Sequence, residues 1–176
     1  MAELSLQDRC RAIVWLVLDV DAVLTDGGIV YSDRGEELKT FHVRDGVGIK
    51  LWLAQGKRAA FLTGRKSVIV DRRGAELGVS AIIQGADDKL KAFEALLRSH
   101  SVMPTQVACV GDDLPDVPLL RRCGLAVAVA DACPEARAEA QYVTKAAGGR
   151  GAVREVVELV LREQGRWQTI VDSYRR

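Results

Sequence analysis

Apolar runs of strand length alternate along the chain with longer stretches in which apolar residues recur at helical spacing. The first run, residues 13–20, is almost continuously apolar and breaks off at Asp19, Asp21 and the turn residues Asp26, Gly27 and Gly28. It predicts a strand buried on both faces with carboxylates at its carboxyl end. Residues 29–31 and 37–41 flank the turn-forming Ser32-Asp33-Arg34-Gly35, which predicts a β-hairpin flap within 28–45. Helices are predicted over 45–54, 67–77, 87–98, 117–121, 134–139 and 152–162, and further strands over 58–62, 81–83, 106–110, 125–129 and 142–143. This alternation is that of an α/β fold, a three-layer doubly wound parallel sheet with helices on both faces. No repeat, linker or low-complexity tract divides it. A single domain over 1–176 is expected, with residues 165–176 as a C-terminal tail whose conformation the pattern leaves open.

Composition narrows the chemistry. The 176 residues are 48% apolar and 28% charged, with 25 basic side chains against 24 acidic ones and a formal net charge of +1. A chain of this length buries roughly 70% of its unfolded surface, enough for a core without disulfide staples. Near-neutrality provides no broad field for gripping a phosphate backbone, so no nucleic-acid partner is expected and any anion must be bound locally. Cys10, Cys109, Cys123 and Cys133 form no C-x-x-C pair, and only two histidines exist, which argues against zinc. Residues 1–11 lack an apolar signal region, and no apolar run approaches the ~20 residues that cross a bilayer. The expectation is a cytoplasmic protein with reduced thiols and no membrane partner.

In open α/β sheets, ligands sit beyond the carboxyl ends of the strands where the winding reverses. The strand ends here carry Asp19 and Asp21, then Thr63, Gly64 and Arg65, then Asp112, Asp113 and Asp116, while Lys89 stands at the start of the helix after the third core strand. Bare carboxylates so close would repel one another and could not all stay ionised. A hard divalent cation resolves the conflict, and oxygen-only ligands around an open position suit Mg²⁺ together with a substrate phosphate. Lys89 adds a fixed positive charge, Thr63 a hydroxyl donor, and Gly64 room for a phosphate oxygen.

Asp19-Val20-Asp21, Leu62-Thr63-Gly64-Arg65, Lys89 and Gly111-Asp112-Asp113-x-x-Asp116 resemble, in order and spacing, the four motifs of the haloacid-dehalogenase-type phosphatases. Val23-Leu24-Thr25-Asp26-Gly27, Phe41-x-x-x-Asp45-Gly46-x-Gly48-Ile49-Lys50 and Gly148-Gly149-x-Gly151-Ala152-Val153-Arg154-Glu155 resemble the small branch without a large cap domain that contains the 3-deoxy-D-manno-octulosonate 8-phosphate phosphatases. The likeness runs from about Trp15 to Gln164. It implies a Mg²⁺-dependent phosphomonoesterase acting through an aspartyl-phosphate, in lipopolysaccharide biosynthesis. Asp19 is then the nucleophile and Asp21 the acid and base. Thr63 and Lys89 stabilise the transferring phosphoryl group. The metal falls to Asp19, Asp112 and the Asp21 carbonyl, with Asp113 and Asp116 in support. The resemblance further assigns sugar-acid contacts to His42, Val43, Arg44, Asp45, Gly46, Lys50, Arg65 and Arg73, beside Gly64 at the phosphate. Physically, Arg65 and Arg73 can pair with a carboxylate in bidentate fashion, and a helix start at Asp45-Gly46 offers free N–H donors. A homotetramer is implied, its flaps and tails covering neighbouring sites, and Trp167, Ile170, Val171 and Tyr174 are the apolar tail residues expected to dock on another subunit.

Ala22 stands where that family usually carries glycine. If the position needs a positive φ, alanine adds strain of order 1 kcal/mol; if glycine serves only for space, the methyl narrows the pocket. His42 stands where asparagine is common and introduces a group that titrates near neutrality. Three other functions compete: a phosphatase of a nine-carbon sugar-acid phosphate, a degenerate non-catalytic subunit, and a phospho-accepting receiver module. Receivers carry their lysine after the last acidic cluster, whereas Lys89 precedes Asp112.

Overall fold

The computed structural model describes residues 4–175; the ends of the expected domain and tail, residues 1–3 and 176, lie outside the described residues. Its core is a parallel sheet of β1 (Trp15–Leu18), β4 (Arg58–Leu62), β5 (Ala81–Ile83), β6 (Val107–Gly111), β7 (Leu125–Ala128) and β8 (Tyr142–Val143), in the order β5-β4-β1-β6-β7-β8. β1 pairs with β4 on one side and β6 on the other, so the winding reverses around it and the crevice for a ligand opens there. All four β1 residues are buried, as its unbroken apolar run requires of a strand covered on both faces. The helices α2 (Val43–Ala54), α3 (Val68–Leu77) and α7 (Ala152–Glu163) form one layer, and α4 (Lys89–His100), α5 (Val117–Leu120) and α6 (Pro134–Glu139) the other. This is the expected doubly wound architecture, and no helix among the described residues is long and apolar enough to cross a membrane.

The flap is a short antiparallel hairpin of β2 (Val30–Tyr31) and β3 (Glu37–Leu38). It ends before residue 45, because α2 begins at Val43 with His42 as its extended N-cap. Asp45 therefore does not open the helix: it lies in the first turn, and its buried carboxylate accepts from the backbone N–H groups of Gly151 at 3.2 Å and Arg154 at 2.8 Å. It caps α7 from a neighbouring helix, satisfying donors that Gly151 has no side chain to meet. The helix predicted from residue 87 starts at Lys89, because the Asp88 carboxylate accepts from the Lys91 N–H at 2.9 Å and so is the cap.

Two α-helices among the described residues were not expected. α1 (Leu6–Ala12) begins at Ser5, whose hydroxyl accepts from the Asp8 N–H at 3.2 Å, a capping signal present in the sequence. The tail folds as α8 (Trp167–Ser173) and buries Trp167 and Ile170 within the chain itself. Those two side chains are consequently not free to dock on another subunit; Tyr174, 75% exposed, is.

The loop after β1 is tied by the buried Thr25 hydroxyl, which accepts from Ala22 N–H at 3.2 Å and Gly27 N–H at 3.3 Å. Ala22 has φ +62°, so the position is left-handed and glycine's place there is conformational. A Cβ on Gly148 would lie 1.6 Å from the Ala22 carbonyl oxygen, so only glycine lets the 146–149 segment close over this loop. We expect Ala22→Gly to raise stability by up to about 1 kcal/mol, with gain from relieved strain partly offset by a more flexible unfolded chain. A Tm rise of about 2 °C in thermal melts is the expected outcome; an unchanged or lower Tm would show that the loop carries no such strain.

Candidate active site

A cleft of ≈ 470 Å³ opens at the carboxyl ends of β1, β4 and β6, lined by Asp19, Asp21, Ala22, Thr63, Gly64, Arg65, Lys89, Asp112, Asp113 and Asp116 among others. The sequence motifs, separated by up to 97 positions between Asp19 and Asp116 (116 − 19), thus converge on one place.

At its floor the Lys89 ammonium lies 2.9 Å from Asp19 Oδ1 and donates to Asp116 Oδ1 at 2.6 Å. Asp116 Oδ2 accepts from the Asp112 N–H at 3.0 Å. Both Asp116 oxygens are engaged, so this residue positions Lys89 and the β6 turn. Gly111 makes the turn possible, since a Cβ there would lie 2.5 Å from that of Asp116. Asp113 caps the Leu114 N–H at 2.8 Å and keeps its carboxylate at the rim.

Asp19, Asp112 and Asp116 each offer an oxygen within 4.8 Å of the others, against one ammonium. Asp19 Oδ1 is buried and forms no hydrogen bond of proper direction despite its approach to Lys89. Burial first, then Asp116, pushes the Asp19 carboxyl up to about 6, with Lys89 opposing. Burial and the neighbouring Asp19 and Asp116 charges push Asp112 up to about 8. An oxygen-only set with unneutralised negative charge fits a hard divalent cation, Mg²⁺ above all.

Asp21 points elsewhere. Its carboxylate forms an ion pair with Lys39 and lies 3.8 Å from Arg65 Nε. Arg65 Nη2 reaches Glu37 at 2.9 Å and the Tyr31 hydroxyl at 3.3 Å, and Glu37 returns to Lys39 at 3.4 Å. Sequence reasoning missed Glu37 and Lys39. Their signal was the alternation Glu37-Leu38-Lys39, which sends Leu38 outward and both charges inward.

The residues assigned to the sugar acid are only partly brought together. Gly64 and Arg65 line the cleft. Arg73 lies over the Phe41 ring at 5.5 Å and shares a shallow groove with Val43. Gly46 leaves the space for that guanidinium, since a Cβ there would lie 2.3 Å from Arg73 Nη2. Arg44 lines a larger cleft, ≈ 600 Å³, beside Arg150, Arg154 and Arg162, which contains none of the clustered carboxylates. Lys50 is exposed on α2, and His42 Nδ1 stands 3.9 Å from the Asp45 carboxylate. Asp45 is withdrawn from ligand contact by its role as the α7 cap.

Residues 54–156 match the model of the haloacid dehalogenase-like hydrolases. The chain is 52% identical over 158 residues, 90% of its length and 84% of the relative's, to the 3-deoxy-D-manno-octulosonate 8-phosphate phosphatase of Escherichia coli K12, and 46% identical over 156 residues, 89% and 83% of the two chains, to that of Yersinia pestis. The crystal structure of the Moraxella catarrhalis phosphatase of the same name, in complex with magnesium, phosphate and KDO, superposes with a TM-score of 0.94 at 40% identity over 96% of this chain and 97% of that one. With four motifs at one cleft and likeness of this extent, the chain belongs to the haloacid dehalogenase-like hydrolases, within the 3-deoxy-D-manno-octulosonate 8-phosphate phosphatase family.

Proposed function

We propose that the protein is a Mg²⁺-dependent phosphomonoesterase that hydrolyses 3-deoxy-D-manno-octulosonate 8-phosphate to the free sugar acid and inorganic phosphate. The observation that carries this reading is the gathering of Asp19, Asp112 and Asp116 about Lys89 in a chain 52% identical to phosphatases of that substrate. The Asp19 carboxylate attacks phosphorus in line; the bond to the sugar oxygen breaks as the aspartyl-phosphate forms, and Asp21, carrying a proton in place of its ion pair with Lys39, gives that oxygen its proton. Asp21 then takes a proton from the water that attacks phosphorus, and Asp19 leaves as carboxylate. Two displacements replace one very slow hydrolysis. Lys89 and Thr63 hold the phosphoryl oxygens, and Asp116 keeps the ammonium aimed at them. Mg²⁺, held by Asp19, Asp112 and the Asp21 carbonyl, would supply positive charge against the charge developing on those oxygens.

The sugar acid is anionic at both ends, and Arg65 at the cleft is the side chain suited to its carboxylate. A homotetramer accounts for the dispersal of Val43, Arg44, Lys50 and Arg73 over the surface, where a second copy could use them. The hairpin also exposes Ile29, Val30, Tyr31 and Leu38, a patch suited to a neighbour. Light scattering is expected to report a tetramer, and a monomer at micromolar concentration would remove this part of the proposal.

Phosphate release should require Mg²⁺, favour the eight-carbon over the nine-carbon sugar-acid phosphate in kcat/KM, and fall by ~10³-fold or more in Asp19→Asn. Folded, Mg²⁺-loaded protein that releases phosphate from neither compound would reject the assignment. The raised pKa values of Asp19 and Asp112 give the metal-free protein a definite pH dependence. Because both carboxyls titrate above the unfolded value of 3.8, the folded state binds more protons than the unfolded one between pH 4 and about 8. Stability contributed by these groups is therefore lost as pH rises through that window. Mg²⁺ needs the ionised forms, so its stabilising effect should grow over the same range. Melts in EDTA and in Mg²⁺ at pH 5.5 and 8.5 test this; a Tm increment independent of pH would contradict it.

A further inference from the structure

Four side chains at the mouth of the cleft form a closed ring of alternating charge: Lys39 to Asp21, Asp21 to Arg65, Arg65 to Glu37, and Glu37 back to Lys39. Two cations balance two anions, so the ring is neutral. One donor within it is unspent. Arg65 Nε is buried without a hydrogen-bond partner, 3.8 Å from Asp21 Oδ2, while Nη2 on the same edge of the guanidinium is held by Glu37 at 2.9 Å. That edge is the one a carboxylate grips with both oxygens. Glu37 grips half of it.

We propose that Glu37 is a specificity residue, an internal carboxylate that occupies Arg65 in the free protein and is exchanged there for the carboxylate of the sugar acid. The proposal rests on Arg65 as the partner of that carboxylate. A ligand reaching both Nε and Nη2 replaces one charged hydrogen bond with two and satisfies the buried donor. Glu37 is not stranded by the exchange, because Lys39 remains its partner at 3.4 Å. The Ser67 hydroxyl foremost, with Arg65 and Lys39 after it, holds the Glu37 carboxyl below the usual range, so it competes as an anion. After hydrolysis the same competition works in reverse: Glu37 returns to Arg65 and helps to expel the product. A phosphate ester without a carboxylate gains nothing by opening the ring, so Glu37 also sets a threshold that only a carboxylate-bearing ligand offsets.

Glu37→Gln keeps the shape and removes the competing charge. Titration of the Mg²⁺-loaded protein with the free sugar acid should show affinity tightened about three- to fivefold over the wild type, with inorganic phosphate shifted by less than about twofold. A hairpin merely loosened by the change would weaken both ligands. Sugar-acid affinity that is unchanged or weaker in Glu37→Gln overturns the proposal. Arg65→Met separates the two levels. If it loses sugar-acid affinity while Glu37→Gln gains none, only the exchange is wrong; if it binds the sugar acid as the wild type does, Arg65 is not the carboxylate partner and the proposal falls with that assignment.

Discussion

Three carboxylates and one ammonium share the floor of the cleft, and the negative excess they create is the constraint around which the molecule is built. Asp19 Oδ1 lies buried beside Lys89 without a directed hydrogen bond, and Asp112 is pushed up to about 8. Such a cluster opposes its own folding unless protonated or neutralised by a cation. Its cost has to be met by a scaffold that leaves the side chains no retreat. β1 provides this, buried on both faces and held by parallel partners on both sides.

Carboxylates also serve as rivets away from the cleft floor. Asp45 joins α2 to the start of α7 through two backbone N–H groups. Glu155, one turn into α7, accepts from the Tyr142 hydroxyl at 2.7 Å and from the N–H groups of Lys145 at 2.8 Å and Ala146 at 3.0 Å. Together they fix the 142–151 segment, whose Gly148 presses on the Ala22 carbonyl. The sequence patterns around Asp45 and Glu155 therefore have a structural reading: they hold the loop that carries Asp21.

The core strands and the residues that converge at the cleft were legible because their signals are local. An apolar run ending in Asp19, a glycine before Asp112, and a lysine next to the Asp88 cap each state their place in a few residues. The role of Asp45 was not legible, because a carboxylate near a helix start reads the same whether it caps its own helix or the next. Nor was the ring of Lys39, Asp21, Arg65 and Glu37, which depends on how a short hairpin leans over the sheet rather than on any spacing. The tail helix was ambiguous for a similar reason: Trp167 and Ile170 mark an apolar face, but nothing in their spacing tells whether this chain or another covers it.

The contact between Gly148 and Ala22 joins positions 126 residues apart (148 − 22). On the ribosome, the segment bearing Asp19 and Asp21 emerges well before the glycine that seals its loop. Sequence-distant contacts of this kind form slowly, because a large loop must be closed before they reward the chain. The loop after β1 is thus synthesised long before it can be completed. Until then a nascent chain holds these carboxylates without that enclosure, and the cleft is complete only once the 146–149 segment has been made.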